Sequence, residues 1–182
     1  VILEPGYYYL STTADGCDHS YVKSYKPIKI QGDVTICLNG KWIENVGKTT
    51  GSVFEVPSGC TLTLTDCTDK GRIKCDSNSG VYVNGGTFTM NGGTIRNCTA
   101  AYGYGGGISS LRNITICGDA FVRDCTASQD KSSAMYLNPS NPADRAVIEG
   151  GTFRGNIYAS PYCTGMVAVT GGTFDPGQPN GI

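Results

Sequence analysis

The sequence predicts an all-β chain, a right-handed parallel β-helix of about six to seven coils, and two observations carry that expectation. Short runs of alternating apolar and polar residues recur along the chain, and glycine-marked corners separate them in a frame that repeats.

The runs Leu62-Thr63-Leu64-Thr65, Val81-Tyr82-Val83, Phe88-Thr89-Met90 and Ile114-Thr115-Ile116 have the period of half-buried strands. Side chains alternate faces along a strand, so Leu62, Leu64, Phe88, Met90, Ile114 and Ile116 should point inward while the intervening threonines face water. The corners carry Gly-Gly-Thr followed by an apolar residue, at Gly85-Gly86-Thr87-Phe88, Gly92-Gly93-Thr94-Ile95, Gly150-Gly151-Thr152-Phe153 and Gly171-Gly172-Thr173-Phe174. Glycine there supplies the positive φ that a sharp corner needs.

A longer match sets the coil length. Ile95-Arg96-Asn97-Cys98-Thr99-Ala100 recurs as Val122-Arg123-Asp124-Cys125-Thr126-Ala127, 27 positions later. Phe153-Arg154-Gly155-Asn156 repeats the frame 31 positions on, and Ile73-Lys74-Cys75 approximates it 23 positions before Cys98. Such turns are too short for βαβ units, and no helical period accompanies them. Asn84-Gly85 and Asn91-Gly92 are good tight-turn dipeptides, so a hairpin sandwich is the structural alternative, but it leaves the repeated frame unexplained.

One domain over residues 1–182 is expected, with an N-terminal cap or entry segment over 1–30, an insertion loop over 128–145 and a C-terminal linker over 175–182. The insertion is rich in Ser, Asn, Asp and Pro and should project from one side of the solenoid. The chain opens on Val1 and reads as a piece of a longer protein.

Charged residues make up 16% of the chain and the net charge is -1, so an electrostatic grip on nucleic acid is not expected. Membrane insertion is not expected either, because no apolar run approaches the ~20 residues of a spanning helix. His19 is the only histidine and the nine cysteines include no Cys-x-x-Cys, so neither a metal nor any other cofactor is expected.

The register sets up columns. Cys75, Cys98, Cys125 and Asn156 should stack at one turn, with the asparagine bonding to its copies above and below. Strands lie about 4.8 Å apart, within the Cα separation a disulfide tolerates, so Cys98 and Cys125 form the candidate bridge, a column of buried free thiols being the alternative. Cys37 and Cys117 share the context Thr-Ile-Cys on coils too distant to touch. Beside the cysteines, Lys74, Arg96, Arg123 and Arg154 should form a basic ladder that Asp175 ends. Such a ladder needs counter-charges, solvent or a bound anion; the choice lies between a solvated stripe balanced by Asp124 and a track for an acidic ligand.

Eleven tyrosines and Trp42 form the second feature. Tyr102 and Tyr104 stand in the glycine-rich loop 100–107, Tyr136 in the insertion, and Tyr158 and Tyr162 before the last coil. Aromatic side chains on loops suit sugar and protein recognition. The expected binding residues are therefore Tyr102, Tyr104, Arg96, Arg123, Arg154, Tyr136, Tyr158 and Tyr162. The glycine-rich loop lacks the lysine and following helix of a phosphate loop.

Catalysis is tested and set aside. Arg72-Ile73-Lys74 resembles the Arg-Ile-Lys motif of polygalacturonases, but an adjacent Asp-Asp pair and a Gly-His-Gly segment are missing. Acids are scattered at Asp66, Asp69, Asp76, Asp119 and Asp124, so no pair is set out for acid and base. No catalytic residue is assigned; a polysaccharide lyase or hydrolase is the alternative.

The segments Leu3 to Leu10, Val34 to Gly40, Thr61 to Cys67 and Val81 to Met90 resemble the β-helix repeat region of large adhesin-like surface proteins of Gram-positive gut bacteria. In that family the repeat reads Gly-Gly-Thr, a hydrophobic residue, two variable positions, then Asn-Thr-Ala; here Cys98 and Cys125 replace the asparagine and Asn156 keeps it. The resemblance implies a secreted or cell-surface, monomeric, non-catalytic module that binds a host protein, for example immunoglobulin or mucin, or a glycan. A passive structural stalk is the third possibility.

Overall fold

The computed structural model describes residues 2–9, 21–47, 51–101, 103–129 and 132–175. The alternating runs form three seven-stranded sheets, called A, B and C here, with a short two-stranded pair beside them. Sheet A stacks Ile2–Leu3, Ile28–Ile30, Phe54–Pro57, Val81–Asn84, Ile108–Ser110, Met135–Leu137 and Ile157–Ala159. Sheet B stacks Gly6–Tyr9, Asp33–Cys37, Thr61–Thr65, Thr87–Met90, Asn113–Ile116, Arg145–Ile148 and Met166–Val169. Sheet C stacks Tyr21–Ser24, Trp42–Asn45, Arg72–Cys75, Thr94–Arg96, Phe121–Arg123, Thr152–Phe153 and Thr173–Phe174.

The chain is a parallel β-helix. It visits A, B and C in turn seven times, and every ladder between the described strands is parallel. The antiparallel ladders of a sandwich are not there; Asn84-Gly85 turns from sheet A into sheet B, and the one isolated antiparallel bridge joins Pro57 to Gly85.

Inward columns make the core. Leu62 pairs with Phe88 and Phe88 with Ile114; beside them Leu64, Met90 and Ile116 stack in the same way, all at most 1% exposed. From sheet C, Ile43, Ile73, Ile95, Val122 and Phe153 form one inward column, and Phe153 stacks on Phe174 at 5.3 Å. Identical small steps repeated along an axis bury each coil against two neighbours.

The Gly-Gly-Thr motif marks two different corners. Gly85-Gly86 lies between sheets A and B, whereas Gly92-Gly93, Gly150-Gly151 and Gly171-Gly172 lie between B and C. In the first pair the leading glycine has positive φ (111°), and in the other three the second one does (82°, 85° and 106°).

Two expected boundaries change. The cap or entry segment 1–30 also carries strands of the solenoid, because Ile2–Leu3, Gly6–Tyr9 and Tyr21–Ser24 are the first rungs of the three sheets. The insertion 128–145 does not leave the solenoid as one loop, since Met135–Leu137 is a rung of sheet A paired on both sides. Its apolar side chains Met135 and Leu137 are buried in the core, which holds the middle of the segment down. The linker 175–182 lies outside the described residues except for Asp175.

Candidate binding faces

The register carries the cysteines into place. Ile95 pairs with Ile73 and Val122, so Cys98 falls one residue late relative to Cys75. Asn97 and Asp124 absorb that residue at φ 53° and 54°, a conformation that Asn and Asp tolerate better than most side chains. Cys75, Cys98 and Cys125 are all buried, and all three are free thiols. The bridge between Cys98 and Cys125 is thus not formed in this structure, although the two side chains hydrogen-bond. Burial pushes the Cys98 thiol well up, and its hydrogen bond to Cys125 pulls Cys125 down.

A second thiol pair escaped sequence reasoning. Cys67 is raised by a hydrogen bond with Cys37 on the preceding coil. Asparagine does not bond to copies of itself. Asn45, which pairs with Cys75, donates through Nδ2 to the carbonyls of Gly51 and Ser52, and the Asn156 N–H donates to Ser133 Oγ.

The basic ladder forms on sheet C, where Arg96 pairs directly with Arg123. It is largely answered by acids. Lys74 Nζ meets Glu44 at 2.5 Å and Asp76 at 2.9 Å; Asp124 lies 2.8 Å from Arg123 and 3.8 Å from Arg96; Arg154 faces Asp175 at 3.5 Å. Beside it, Arg72 sits over the Trp42 ring at 4.7 Å, and Arg123 and Arg154 flank Phe121 at 5.2 and 5.6 Å.

The tyrosines belong to another sheet. On sheet A the outward column runs Lys29, Glu55, Tyr82, Ser109, Tyr136, Tyr158. Tyr136 stacks on Tyr158 at 6.0 Å and on Tyr104 from the glycine-rich loop at 4.5 Å. Ser109 interrupts the aromatic column, and the gap is a cavity of about 310 Å³ lined by Asn78, Ser79, Tyr82, Tyr104, Ser109 and Tyr136. A smaller hollow of about 240 Å³ continues past Tyr82 toward Lys29, Glu55 and Asn84. Burial, then the Glu55 carboxylate, pushes the Tyr82 hydroxyl up.

No family model, curated protein or solved structure matches the chain. The site is therefore read from its own geometry.

The glycine-rich loop positions Tyr104. Gly105 has φ 68° and hands its N–H to Ser132 Oγ at 2.9 Å, while a Cβ on Gly106 would meet the Thr126 and Ser133 carbonyls at 2.5 Å. Only glycine lets the loop lie this close to the next coil, and the Tyr104 carbonyl accepts from Ser79 Oγ.

The expected binding residues thus separate into two surfaces: Tyr104, Tyr136 and Tyr158 on sheet A, and Arg96, Arg123 and Arg154 on sheet C. Tyr162 joins neither, standing 84% exposed at the corner after sheet A, and Tyr102 lies outside the described residues. Tyr82, Ser109, Trp42 and Arg72 were not among those expected. Tyr82, Ser109 and Tyr136 are spaced by 27 residues, the same step that relates Cys98 to Cys125, and that step would have found them.

Two of the acids have structural partners. Asp66 accepts from the Gly40 and Gly71 N–H groups at 2.8 and 2.6 Å, fixing a corner, and Asp144 pairs with Arg112 at 3.1 Å.

Proposed function

We propose that the chain is a non-catalytic, extracellular binding module of a bacterial surface protein, and that its ligand is a glycan received in the Tyr82–Ser109–Tyr136 slot. The interrupted aromatic column is the observation that supports this reading. The Tyr82 and Tyr104 rings offer apolar faces to a sugar ring, Tyr136, only 8% exposed, is stacked behind Tyr104, and Ser79, Ser109 and Asn78 offer hydroxyl and amide partners to the sugar's hydroxyl groups. Concave sites with aromatic walls and few placed polar groups are the usual form of small-ligand pockets, at ~300 Å³ or more. The hollow beyond Tyr82 extends the track to a further residue of the same glycan. The host material such a module would meet includes mucin, whose glycans fit this chemistry, whereas immunoglobulin capture would place the contact on a broader surface that includes Tyr162.

The test fills the gap. Ser109→Tyr supplies the missing rung at an outward strand position where tyrosine already stands on the same sheet. A glycan array followed by calorimetry should show a neutral glycan bound by the wild type and its affinity lost by tenfold or more in Ser109→Tyr, with an unchanged circular dichroism spectrum. Unaltered glycan affinity in that variant, or binding of a host protein with no glycan dependence, would overturn the reading.

A further inference from the structure

Sheet C holds a second concave surface, whose cations are met unevenly by acids among the described residues. By strand pairing, one column runs from Tyr21 through Trp42, Arg72, Thr94 and Phe121, and the next from Lys23 through Glu44 and Lys74 to Arg96 and Arg123. Trp42, Arg72, Lys74, Arg96 and Asn97 enclose a cavity of about 310 Å³. The cations around it are not equivalent. Lys74 is held by two carboxylates, and Arg123 takes the nearer side of Asp124, leaving Arg96 at 3.8 Å from that acid. Arg72 has no carboxylate partner among the described residues; its guanidinium lies over Trp42 instead.

These cations stand close enough to repel one another. Burial, then repulsion from Arg96 and Arg123, draws the Arg72 pKa down from its ordinary value. A guanidinium stays charged in proteins, so the repulsion is met by solvent, by counter-charge or by an anion, and the cation–π contact with Trp42 holds the Arg72 plane beside the cavity where an anion can reach it.

We propose that the Trp42–Arg72–Arg96 cavity binds the anionic group of an acidic saccharide, a uronate carboxylate or a sugar sulfate, through charge-assisted hydrogen bonds from Arg72 and Arg96. The saccharide part rests on the glycan reading of the tyrosine slot; the anion part does not. Inorganic sulfate is the minimal ligand, and an acidic oligosaccharide is the intended one. The sheet C site selects charge, and the sheet A slot selects ring shape.

Trp42 is the only tryptophan in the chain, so its fluorescence reports this cavity. The experiment titrates the whole protein with oligogalacturonate, with a sulfated galactan, with inorganic sulfate, and with oligogalacturonate whose carboxylates have been reduced to alcohols. The expected result is a saturable Trp42 response to one or both acidic sugars that weakens with added salt and is missing with the reduced oligomer. The stronger of the two acidic arms identifies the source of the anion. Arg72→Gln and, independently, Arg96→Gln should each weaken the response by tenfold or more, and Arg145→Gln, a cation on sheet B, should not. Ser109→Tyr should leave it intact. No response at millimolar acidic sugar and sulfate, an equal response to the reduced oligomer, or full affinity in both Arg72→Gln and Arg96→Gln would overturn the proposal. Loss of acidic-sugar affinity in Ser109→Tyr alone would also overturn it, because the anion would then belong to the tyrosine slot. If the neutral glycan fails to bind while the Trp42 response obeys the arginine variants, the tyrosine-slot reading falls and the anion site stands.

Discussion

Glu44 is an acid with a side chain only 4% exposed, and the charge opposite it is the Lys74 ammonium 2.5 Å away. The carboxylate of Glu44 first, and that of Asp76 second, hold Lys74 above its ordinary value. A lysine whose folded value is raised stabilises the fold in full below its unfolded value of ~10.4 and loses that contribution as pH climbs through the folded value. Removing one member of a buried pair leaves the other uncompensated, at about 3–5 kcal/mol when both are fully buried. Lys74 keeps 30% of its side chain in solvent, which moderates the loss. Lys74→Met should therefore cost about 2 kcal/mol in urea denaturation at neutral pH. The gap between variant and wild type should stay level through neutral pH and shrink above pH ~10.4. A gap that already shrinks between about pH 7 and 9 would assign the stabilisation to another group.

At the scale of the elements, the strands of sheet B were legible because each alternates cleanly: Leu62, Leu64, Phe88, Met90, Ile114 and Ile116 were placed inward by period alone, and all are buried. The corners were legible as glycine pairs but not in their geometry, since the same Gly-Gly-Thr letters serve an A–B corner at Gly85-Gly86 and B–C corners elsewhere. The difference is tertiary. A Cβ on Gly86 would meet the backbone carbonyls of Pro57 and Cys60 at 2.4 and 2.5 Å, atoms that belong to the preceding coil. Gly59 has φ 76° but nothing within 4 Å of the same added atom. Gly86→Ala should thus cost about 3 kcal/mol, the upper end of overpacking, and Gly59→Ala about 1 kcal/mol from backbone strain alone, measured by thermal melts. A loss at Gly86 no larger than that at Gly59 would mean that the preceding coil yields to the added methyl group. The candidate sites were half legible for a related reason. Rows of like residues such as Arg96 and Arg123 announce themselves, whereas the tyrosine slot is defined by a small residue, Ser109, standing where its column neighbours carry rings.

The whole molecule is a stack in which each coil touches only its neighbours, so stability should be graded along the axis. Coils in the middle are covered on both sides: Leu64 and Met90 are fully buried. At the described ends the same inward positions open, with Val22 39% and Val169 41% exposed. Opening an end coil breaks one interface, while opening a central coil breaks two, so the free energy of local opening should rise toward the middle. Native-state hydrogen exchange should accordingly show slowest exchange in Thr61–Thr65 and Thr87–Met90 and faster exchange in Met166–Val169, the strand that pairs with Arg145–Ile148 on one side only. Both candidate sites draw their rings and cations from the covered coils: Tyr82, Ser109 and Tyr136 on one sheet, Trp42, Arg72 and Arg96 on another. A ligand in either should then bind a surface that is already ordered and leave exchange in the central strands unchanged. A uniform exchange rate from end to end would instead mean that the seven coils open as one cooperative unit, and the nearest-neighbour account of the rod would have to be given up.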